Sequence, residues 1–279
     1  MIRHELQQQE ENLVYYTYEI LSCIPQVSCL TSTRLGGVSQ GHLRAFNLSF
    51  RVGDEEEVVL LNKERFYRLL DIEPETVAQA QLAHGAHIEI IRDFSPRDAR
   101  YAFPSTDGLV TNVVNRPLFI PVADCLAIAY VDPKHHAIGL AHAGWKGAVQ
   151  RIPQEMVKVM HSTYGSDPAD LLIGMSPGLG PCCYQVREDL ITLFTAAFPA
   201  DAHRFFLPQS DGSIHLDMWT AVCWQLQQVG VCPEHIELAG ICTACHVDEF
   251  YSHRAEQGKT GRFASMIVLR SSSETICLE

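Results

Sequence analysis

The sequence predicts a layered α/β or α+β structure with mixed β-sheets, and it disfavours a doubly wound dinucleotide-binding fold. Several short, continuous apolar runs are typical of strands that are covered on both faces. These runs come in groups and do not alternate strictly with helical segments. No Gly-x-Gly-x-x-Gly pattern follows a predicted strand, and the sequence has no Walker A motif.

The strand-like apolar runs lie between segments with helical spacing. No repeat, low-complexity tract or Gly/Ser-rich linker divides the chain, so we expect one domain over residues 1–279. The predicted strands cover residues 27–33, 76–82, 108–113, 126–131, 137–141, 170–173, 237–239 and 265–269.

The first predicted helix begins at Asp54, with Glu57 as the partner in a capping box. It runs to Leu70 and places Val59, Phe66 and Leu70 on one face. This spacing indicates a helix that packs one apolar side against a sheet.

Three further helices follow the central strands. One comes after Gly147 and runs to about His161, and another covers residues 188–198. The last begins near His215 and ends at Gly230, which suits a C-terminal glycine cap. Its buried stripe is expected to contain Leu216, Trp219, Cys223 and Leu226.

Composition and charge exclude several classes of protein. The chain has 279 residues, is 47% hydrophobic and carries a formal net charge of -12, which disfavours binding to nucleic acid or anionic membranes. The N-terminal segment is polar, and the longest apolar stretch, residues 117–130, is interrupted by Asp124 and too short to span a bilayer. We therefore expect a soluble, cytoplasmic protein.

The chain contains ten cysteines, which a reducing compartment would keep as thiols. Cys242 and Cys245 form a Cys-x-x-Cys-His pattern that is also found at haem attachment sites. Without an export signal or a second Cys-x-x-Cys, a structural or incidental role is the preferred interpretation. For the adjacent pair Cys182 and Cys183 we expect a place in the core or in the wall of a site.

Metal-ligand residues follow three apolar segments. His84 stands in Gln-Leu-Ala-His-Gly, Cys125 in Val-Ala-Asp-Cys and His142 in Ala-His-Ala-Gly-Trp-Lys-Gly. A catalytic zinc site uses three protein ligands and leaves the fourth position to water or substrate. Imidazole and thiolate also suit copper. The same residues allow a metal-free alternative, in which Cys125 is a nucleophile with His84 or His142 as its base.

Arg34 is a candidate for binding an anion. It lies where a predicted strand enters the Gly36-Gly37 turn, and a guanidinium can bind phosphate or carboxylate through two parallel hydrogen bonds. Asn47 is a further polar candidate, and Arg262 could supply a second anion contact.

Together these segments resemble the laccase-domain family, also described as polyphenol oxidase-like or YfiH-like. The resemblance is carried, in order along most of the chain, by the following motifs: Thr33-Arg34-x-Gly36-Gly37-Val38-Ser39, Asn47-Leu48, Gln81-x-x-His84-Gly85, Thr106-Asp107-Gly108, Ala123-Asp124-Cys125, His142-Ala143-Gly144-Trp145, Gly180-Pro181-Cys182-Cys183-Tyr184, Cys242-Thr243, Tyr251-Ser252-His253-Arg254 and Thr260-Gly261-Arg262.

The resemblance implies a single α/β/β/α domain with layered mixed sheets, related in architecture to cysteine hydrolases. It also implies that His84, Cys125 and His142 are both the metal ligands and the catalytic centre. Lys146 stands where an Arg is more usual in the family. The implied activity is zinc-dependent purine nucleoside phosphorolysis, with adenosine deamination and methylthioadenosine cleavage.

On this hypothesis the small-molecule partners are purine nucleosides and phosphate. Arg34 would hold the phosphate, with Lys146 and Arg262 as weaker candidates, and Asn47 would contact the substrate. Asp124 would move a proton or orient a ligand. The alternatives are a copper-dependent, laccase-like polyphenol oxidase, a metal-free cysteine hydrolase, and a binding protein with a vestigial site.

Overall fold

The structure is a computed structural model that describes residues 1–8, 11–95, 98 and 100–271. Residues 9, 10, 96, 97, 99 and 272–279 of the expected domain lie outside the described part. The helices of the described part are α1 (Glu19–Ser22), α2 (Glu56–Arg68), α3 (Trp145–Val149), α4 (Ile152–Tyr164), α5 (Glu188–Ala197) and α6 (Met218–Gln228). Its strands are β1 (Ile2–Gln8), β2 (Glu11–Thr17), β3 (Val27–Ser32), β4 (Ala78–Gln79), β5 (Ile88–Ile91), β6 (Gly108–Thr111), β7 (Leu118–Val122), β8 (Leu126–Asp132), β9 (Ala137–Ala143), β10 (Leu172–Met175), β11 (Gln185–Val186), β12 (Phe206–Pro208), β13 (Ile214–Leu216), β14 (Ile236–Leu238) and β15 (Phe263–Leu269).

Two six-stranded mixed sheets form the centre of the fold. The first has the order β1-β2-β3-β15-β7-β4 and is antiparallel except between β4 and β7. The second has the order β14-β10-β8-β9-β6-β5, with parallel pairs at both of its edges. A small antiparallel sheet has the order β11-β13-β12.

The sheets and helices stack in four layers. Because successive side chains of a strand point to opposite faces, Phe119 packs toward α2 while Ile120 packs between the sheets. In the second sheet, Ala129 faces the first sheet and Tyr130 faces the layer of α4 and α6. The order is α/β/β/α, and it confirms the predicted layered fold with mixed sheets.

Most predicted strands are present, with small changes in their bounds. The stretch 76–82 is an exception, because its strand is only the two residues of β4, followed by a single bridge between Ala80 and Phe103. The hairpin of β1 and β2 was not predicted, since its sequence is rich in charged and amide side chains. β7 was not predicted as a separate strand, and Pro121 lies inside it. A proline is tolerated there because β4 pairs only with Leu118 and Phe119.

The predicted start of the first helix was wrong. Asp54 precedes α2, and Glu55 is the N-cap residue without a side-chain cap bond. The Asp54 carboxylate instead accepts hydrogen bonds from Ser39 Oγ at 2.6 Å and from Asn47 Nδ2 at 2.9 Å. Tertiary hydrogen bonds of the Asp54 carboxylate therefore replace the predicted N-cap interaction. Val59 and Phe66 face the core as predicted.

The last helix begins later than predicted. Asp217 caps α6 by accepting from the Thr220 backbone N–H at 3.0 Å, so Leu216 belongs to β13. The fully buried face of α6 therefore differs from the predicted stripe, and Trp219 and Cys223 are only partly buried. That buried face consists of Met218, Ala221, Val222, Gln225 and Leu226.

Candidate active site

The side chains of three candidate metal ligands meet where the chain passes from the first sheet to the second. His84 follows β4, Cys125 lies between β7 and β8, and His142 lies near the end of β9. Their ligand atoms all lie within 4.8 Å of one another, and the two imidazole rings are perpendicular with centroids 4.8 Å apart. β7 and β8 belong to different sheets, so the Cys125 turn joins the two sheets at this site.

A strained turn presents Cys125. The preceding residue, Asp124, has a left-handed φ of 80°, which is uncommon for a residue other than glycine. Its carboxylate accepts from Thr243 Oγ1 and from the Arg254 backbone N–H, both at 2.6 Å. Its carbonyl oxygen accepts from the Leu179 N–H at 2.7 Å. Through these hydrogen bonds, Asp124 holds the turn in place.

Asp107 organises the two histidines. Its buried carboxylate lies 2.9 Å from Nδ1 of His142 and accepts from the backbone N–H groups of His84 at 2.9 Å and Gly85 at 2.7 Å. Burial raises the pKa of this carboxyl, but the hydrogen bonds from His142 and Gly85 outweigh burial and lower it overall. With Nδ1 turned to Asp107, His142 keeps Nε2 for a metal. This role of Asp107 was not predicted from the sequence, where the residue stands in the Thr106-Asp107-Gly108 motif just before a buried strand.

Charges in the cluster favour a thiolate. Burial raises the pKa of the Cys125 thiol, but the charge of His142 and hydrogen bonds from both histidines outweigh burial and lower it to about 6. Burial lowers the pKa of His142, but Cys125 and Asp107 outweigh burial and raise it to about 9. Both shifts favour a thiolate on Cys125 beside an imidazolium on His142 when no metal binds them.

Gly144 leaves room at the centre of the cluster. A Cβ atom at this position would lie 2.9 Å from Sγ of Cys125, 3.4 Å from His84 and 3.7 Å from His142. Its φ of -85° is accessible to other residues, so space and not backbone conformation requires glycine here. Two imidazoles and one thiolate around such a space fit a zinc or copper ion with one open position.

A cavity of about 420 Å³ adjoins the cluster, and His84 forms part of its wall. Arg51, Arg100 and Arg262 make the cavity positively charged, whereas the protein as a whole is acidic. The lining also includes Phe50, Leu82, Pro121, Gln79 and Glu56. The cavity therefore combines apolar surface with groups that bind anions.

Residues 28–270 match the family described as multi-copper polyphenol oxidoreductase laccase. The chain belongs to this family. It is 32% identical over 240 residues to the purine nucleoside phosphorylase YlmD of Geobacillus stearothermophilus, covering 85% of this chain and 88% of that protein. It is 31% identical over 257 residues to a purine nucleoside phosphorylase of Bacteroides thetaiotaomicron, covering 90% of this chain and 95% of that protein.

Two solved structures share the fold of this chain. The crystal structure of YlmD from Geobacillus stearothermophilus superposes with a TM-score of 0.87 at 29% identity, covering 95% of this chain and 98% of that one. YfiH of Bacillus licheniformis superposes with a TM-score of 0.84 at 30% identity, covering 88% and 93%. The resemblance and the layered fold expected from the sequence are both confirmed.

The anion candidates occupy different places in this laccase-family chain. Arg262 lines the cavity, but Arg34 does not. The Arg34 guanidinium donates to Val247 O at 2.6 Å, pairs with Glu256 at 3.1 Å and stacks over the Tyr251 ring. It joins loops of the protein to one another.

Asn47 and Lys146 also lie outside the cavity lining. Asn47 is buried, and its Oδ1 accepts from the Arg262 backbone N–H at 3.0 Å, so it positions Arg262. Lys146 is exposed at the start of α3, with Nζ 5.4 Å from the centre of the Trp145 ring.

The remaining cysteines of interest form a cluster of their own. Cys182, Cys183, Cys242 and Cys245 do not line the cavity, and their sulfur atoms lie within 4.8 Å of one another. The sequence has no second Cys-x-x-Cys, but the adjacent pair Cys182 and Cys183 supplies two further sulfur atoms beside Cys242 and Cys245.

No helix in the described part of the chain is long and apolar enough to cross a membrane.

Proposed function

We propose that this chain is a zinc-dependent purine nucleoside phosphorylase with its active site at His84, Cys125, His142 and the adjoining cavity. The observation that carries the proposal is the position of a three-ligand cluster in the wall of an arginine-lined cavity. The names of two relatives, each at least 31% identical over most of its length, support the same activity.

Arg262 is the best candidate to hold phosphate. Its guanidinium is half-buried in the cavity wall and donates from Nη1 to the carbonyl oxygens of Thr260 and Gly261. Among the described residues no contact uses its other N–H groups, which leaves them for an anion. Arg100 is already paired with Glu56 and Asp98. These contacts favour Arg262, with Arg51 beside it, over Arg34.

The apolar part of the cavity suits a nucleoside. Pockets for small ligands span about 300–1,000 Å³, so a volume of 420 Å³ can hold a purine nucleoside. The Phe50 ring offers a face on which a purine could stack. Gln79 Oε1 already accepts from Lys63, so the Nε2 group of Gln79 is the part of this amide that could donate to the polar edge of the purine.

The chemistry requires one bond to form and one to break. A phosphate oxygen attacks the anomeric carbon of the ribose, and the bond to the base breaks with its electron pair moving to the purine. Arg262 and Arg51 would hold the phosphate and offset its charge. When bound at the three ligands, zinc would supply Lewis-acid chemistry and a water of lowered pKa, which suits the proposed adenosine deamination.

The test is phosphate-dependent release of free base from adenosine, inosine and methylthioadenosine. Wild-type protein and Cys125→Ala are compared with metal content recorded, and ammonia release reports deamination. We expect turnover and zinc bound at His84, Cys125 and His142 in the wild type, and loss of turnover and of the zinc at this site in the variant. Full phosphorolysis by Cys125→Ala, or no release by zinc-loaded wild type, would reject the proposal.

One observation favours a second candidate, a metal-free cysteine hydrolase. The Cys125 sulfur lies within 4.8 Å of a His142 ring nitrogen, and Nδ1 of His142 lies 2.9 Å from Asp107, which is the arrangement that activates a cysteine nucleophile. Hydrolysis that survives a chelator and is blocked by thiol alkylation would support this candidate. Activity that is lost to the chelator and restored by zinc would exclude it.

The family description favours a copper oxidase of phenols as a further candidate. The described residues contain two clusters that could hold a metal. One consists of His84, Cys125 and His142, and the other contains only cysteines. Stoichiometric copper together with oxygen uptake on phenols would support the oxidase. Zinc-loaded protein that consumes no oxygen but releases purine would reject it.

A further inference from the structure

A second cysteine cluster lies on the loops that follow two neighbouring strands. Cys182 and Cys183 follow β10, and Cys242 and Cys245 follow β14. β10 and β14 are parallel neighbours, so their carboxyl ends leave the sheet at the same edge. Backbone hydrogen bonds from Gly178 N–H to Ile241 O and from Thr243 N–H to Gly178 O, both 3.1 Å, continue this pairing into the loops. The two cysteine pairs, about sixty positions apart in sequence, are thereby brought together.

The sulfur atoms have the spacing of a tetrahedral thiolate site. Sγ of Cys245 lies 3.5 Å from that of Cys182 and 3.4 Å from that of Cys183, and all four sulfurs lie within 4.8 Å of one another. Four sulfurs bound to zinc at 2.3 Å would be about 3.8 Å apart. A disulfide would require about 2.0 Å, and these four cysteines are free thiols.

The local backbone suits a metal-binding turn. The N–H groups of Cys245 and His246 donate to Cys242 O at 3.2 and 3.1 Å and close a tight turn across the Cys-x-x-Cys segment. The Gly180 N–H donates to Sγ of Cys242 at 3.3 Å, which stabilises a negatively charged sulfur. Cys242 is buried, while Cys182 and Cys245 are exposed. An ion could therefore enter from solvent.

We propose that Cys182, Cys183, Cys242 and Cys245 bind a structural Zn²⁺ ion, separate from the metal at the active site. Four thiolates select soft or borderline ions, and four protein ligands close the coordination shell, as in structural zinc sites. This site does not depend on the purine activity proposed above.

The ion fastens the loops that hold the catalytic turn. Thr243, inside the Cys-x-x-Cys segment, donates to the Asp124 carboxylate. The Arg254 backbone N–H donates to the same carboxylate, and its guanidinium donates to Cys183 O at 3.2 Å. Asp124 immediately precedes Cys125. Loss of the zinc would therefore loosen the Cys125 turn, although none of these four cysteines lines the cavity.

The test is zinc content per chain in four purified proteins, measured by elemental mass spectrometry with protein concentration from amino-acid analysis. We expect two zinc ions in the wild type, one in Cys125→Ala and one in Cys245→Ser. The matched control is Cys23→Ser, which changes an exposed cysteine away from both clusters and should keep two. Equal zinc content in Cys245→Ser and the wild type would overturn the proposal.

Cobalt substitution tests the ligand set even if Cys245→Ser does not fold. Co²⁺ added to metal-free Cys125→Ala, in which the four cysteines are untouched, should give the strong sulfur-to-cobalt charge-transfer absorption of several thiolate ligands. No such absorption, or failure of this variant to bind zinc, would overturn the proposal.

Thiol counting gives a third measurement. Denatured, chelated and unreduced wild-type protein should show all ten thiols, and a loss of two assigned to this cluster would reveal a disulfide instead.

Discussion

Gly144→Ala should disable the active site without unfolding the protein. The added Cβ would lie 2.9 Å from Sγ of Cys125, whereas comfortable contacts between such atoms lie at about 3.5–4.0 Å. Sγ or the first turn of α3 must therefore move by about 0.6–1.1 Å. Overpacking of this kind reduces stability by about 1–3 kcal/mol. The Cys125 side chain is the flexible group that takes up the strain.

Such a shift changes the geometry of the ligands. A misplacement of about 1 Å can reduce turnover about 100-fold, so we expect kcat/KM for phosphate-dependent base release to fall by about that factor. Zinc at His84, Cys125 and His142 should also be lost at lower chelator concentrations than in the wild type. The assays are base release at saturating phosphate, zinc retention against a graded chelator, and thermal unfolding to confirm the fold.

Gly85→Ala is the matched control beside the same cluster. Its added Cβ would meet only ordinary contacts, 3.5 Å from the Asp107 carboxylate and 3.9 Å from Gln150, and its backbone N–H would still donate to Asp107. We expect nearly wild-type zinc retention and turnover. The reasoning would be refuted if Gly144→Ala kept wild-type zinc and activity, or if both variants lost them equally.

Three further predictions follow from buried charges. Asp107→Asn removes the carboxylate that orients His142, so zinc affinity should fall about 10–100-fold in a chelator competition; an unchanged affinity would contradict this role. Burial lowers the pKa of Lys63 to about 7 from 10.5, so the unfolded chain binds more protons between these values and wild-type stability should rise with pH across that window. Denaturant unfolding at several pH values should show a smaller rise for Lys63→Met, and equal rises would reject the assignment. Arg262→Ala should raise KM for phosphate about tenfold or more, whereas Arg34→Ala should mainly reduce thermal stability, because a lost charged hydrogen bond costs about 1.5–3 kcal/mol; the reverse pattern would favour Arg34 as the phosphate ligand.

Helices and buried strands were the easier part of the fold to predict. Residues 188–198 and the strands around Leu126 and Ala137 carry their structure in local apolar patterns, and their observed bounds agree within a few residues. The hairpin of β1 and β2 carries little such pattern. Partners supplied by β3 hold it in the sheet, and no local rule contains that information.

The candidate site, like the fold, was only partly predictable from the sequence. Motifs around His84, Cys125 and His142 identify residues of the right chemistry, each beside a predicted strand. Which carboxylate supports them depends on distance in space. Asp124 looked suitable because it adjoins Cys125, but it bonds to Thr243 and Arg254. Asp107 performs the supporting role in the structure.

The sequence by itself determined the family and the layered α/β class, because motif order and apolar periodicity are properties of the chain alone. Only the tertiary structure decided which arginine reaches the cavity and which cysteines lie in one cluster. Arg34 is held by Glu256, and the two cysteine pairs meet because β10 and β14 are parallel neighbours. Both outcomes depend on long-range pairing, which brings residues far apart in sequence within bonding distance.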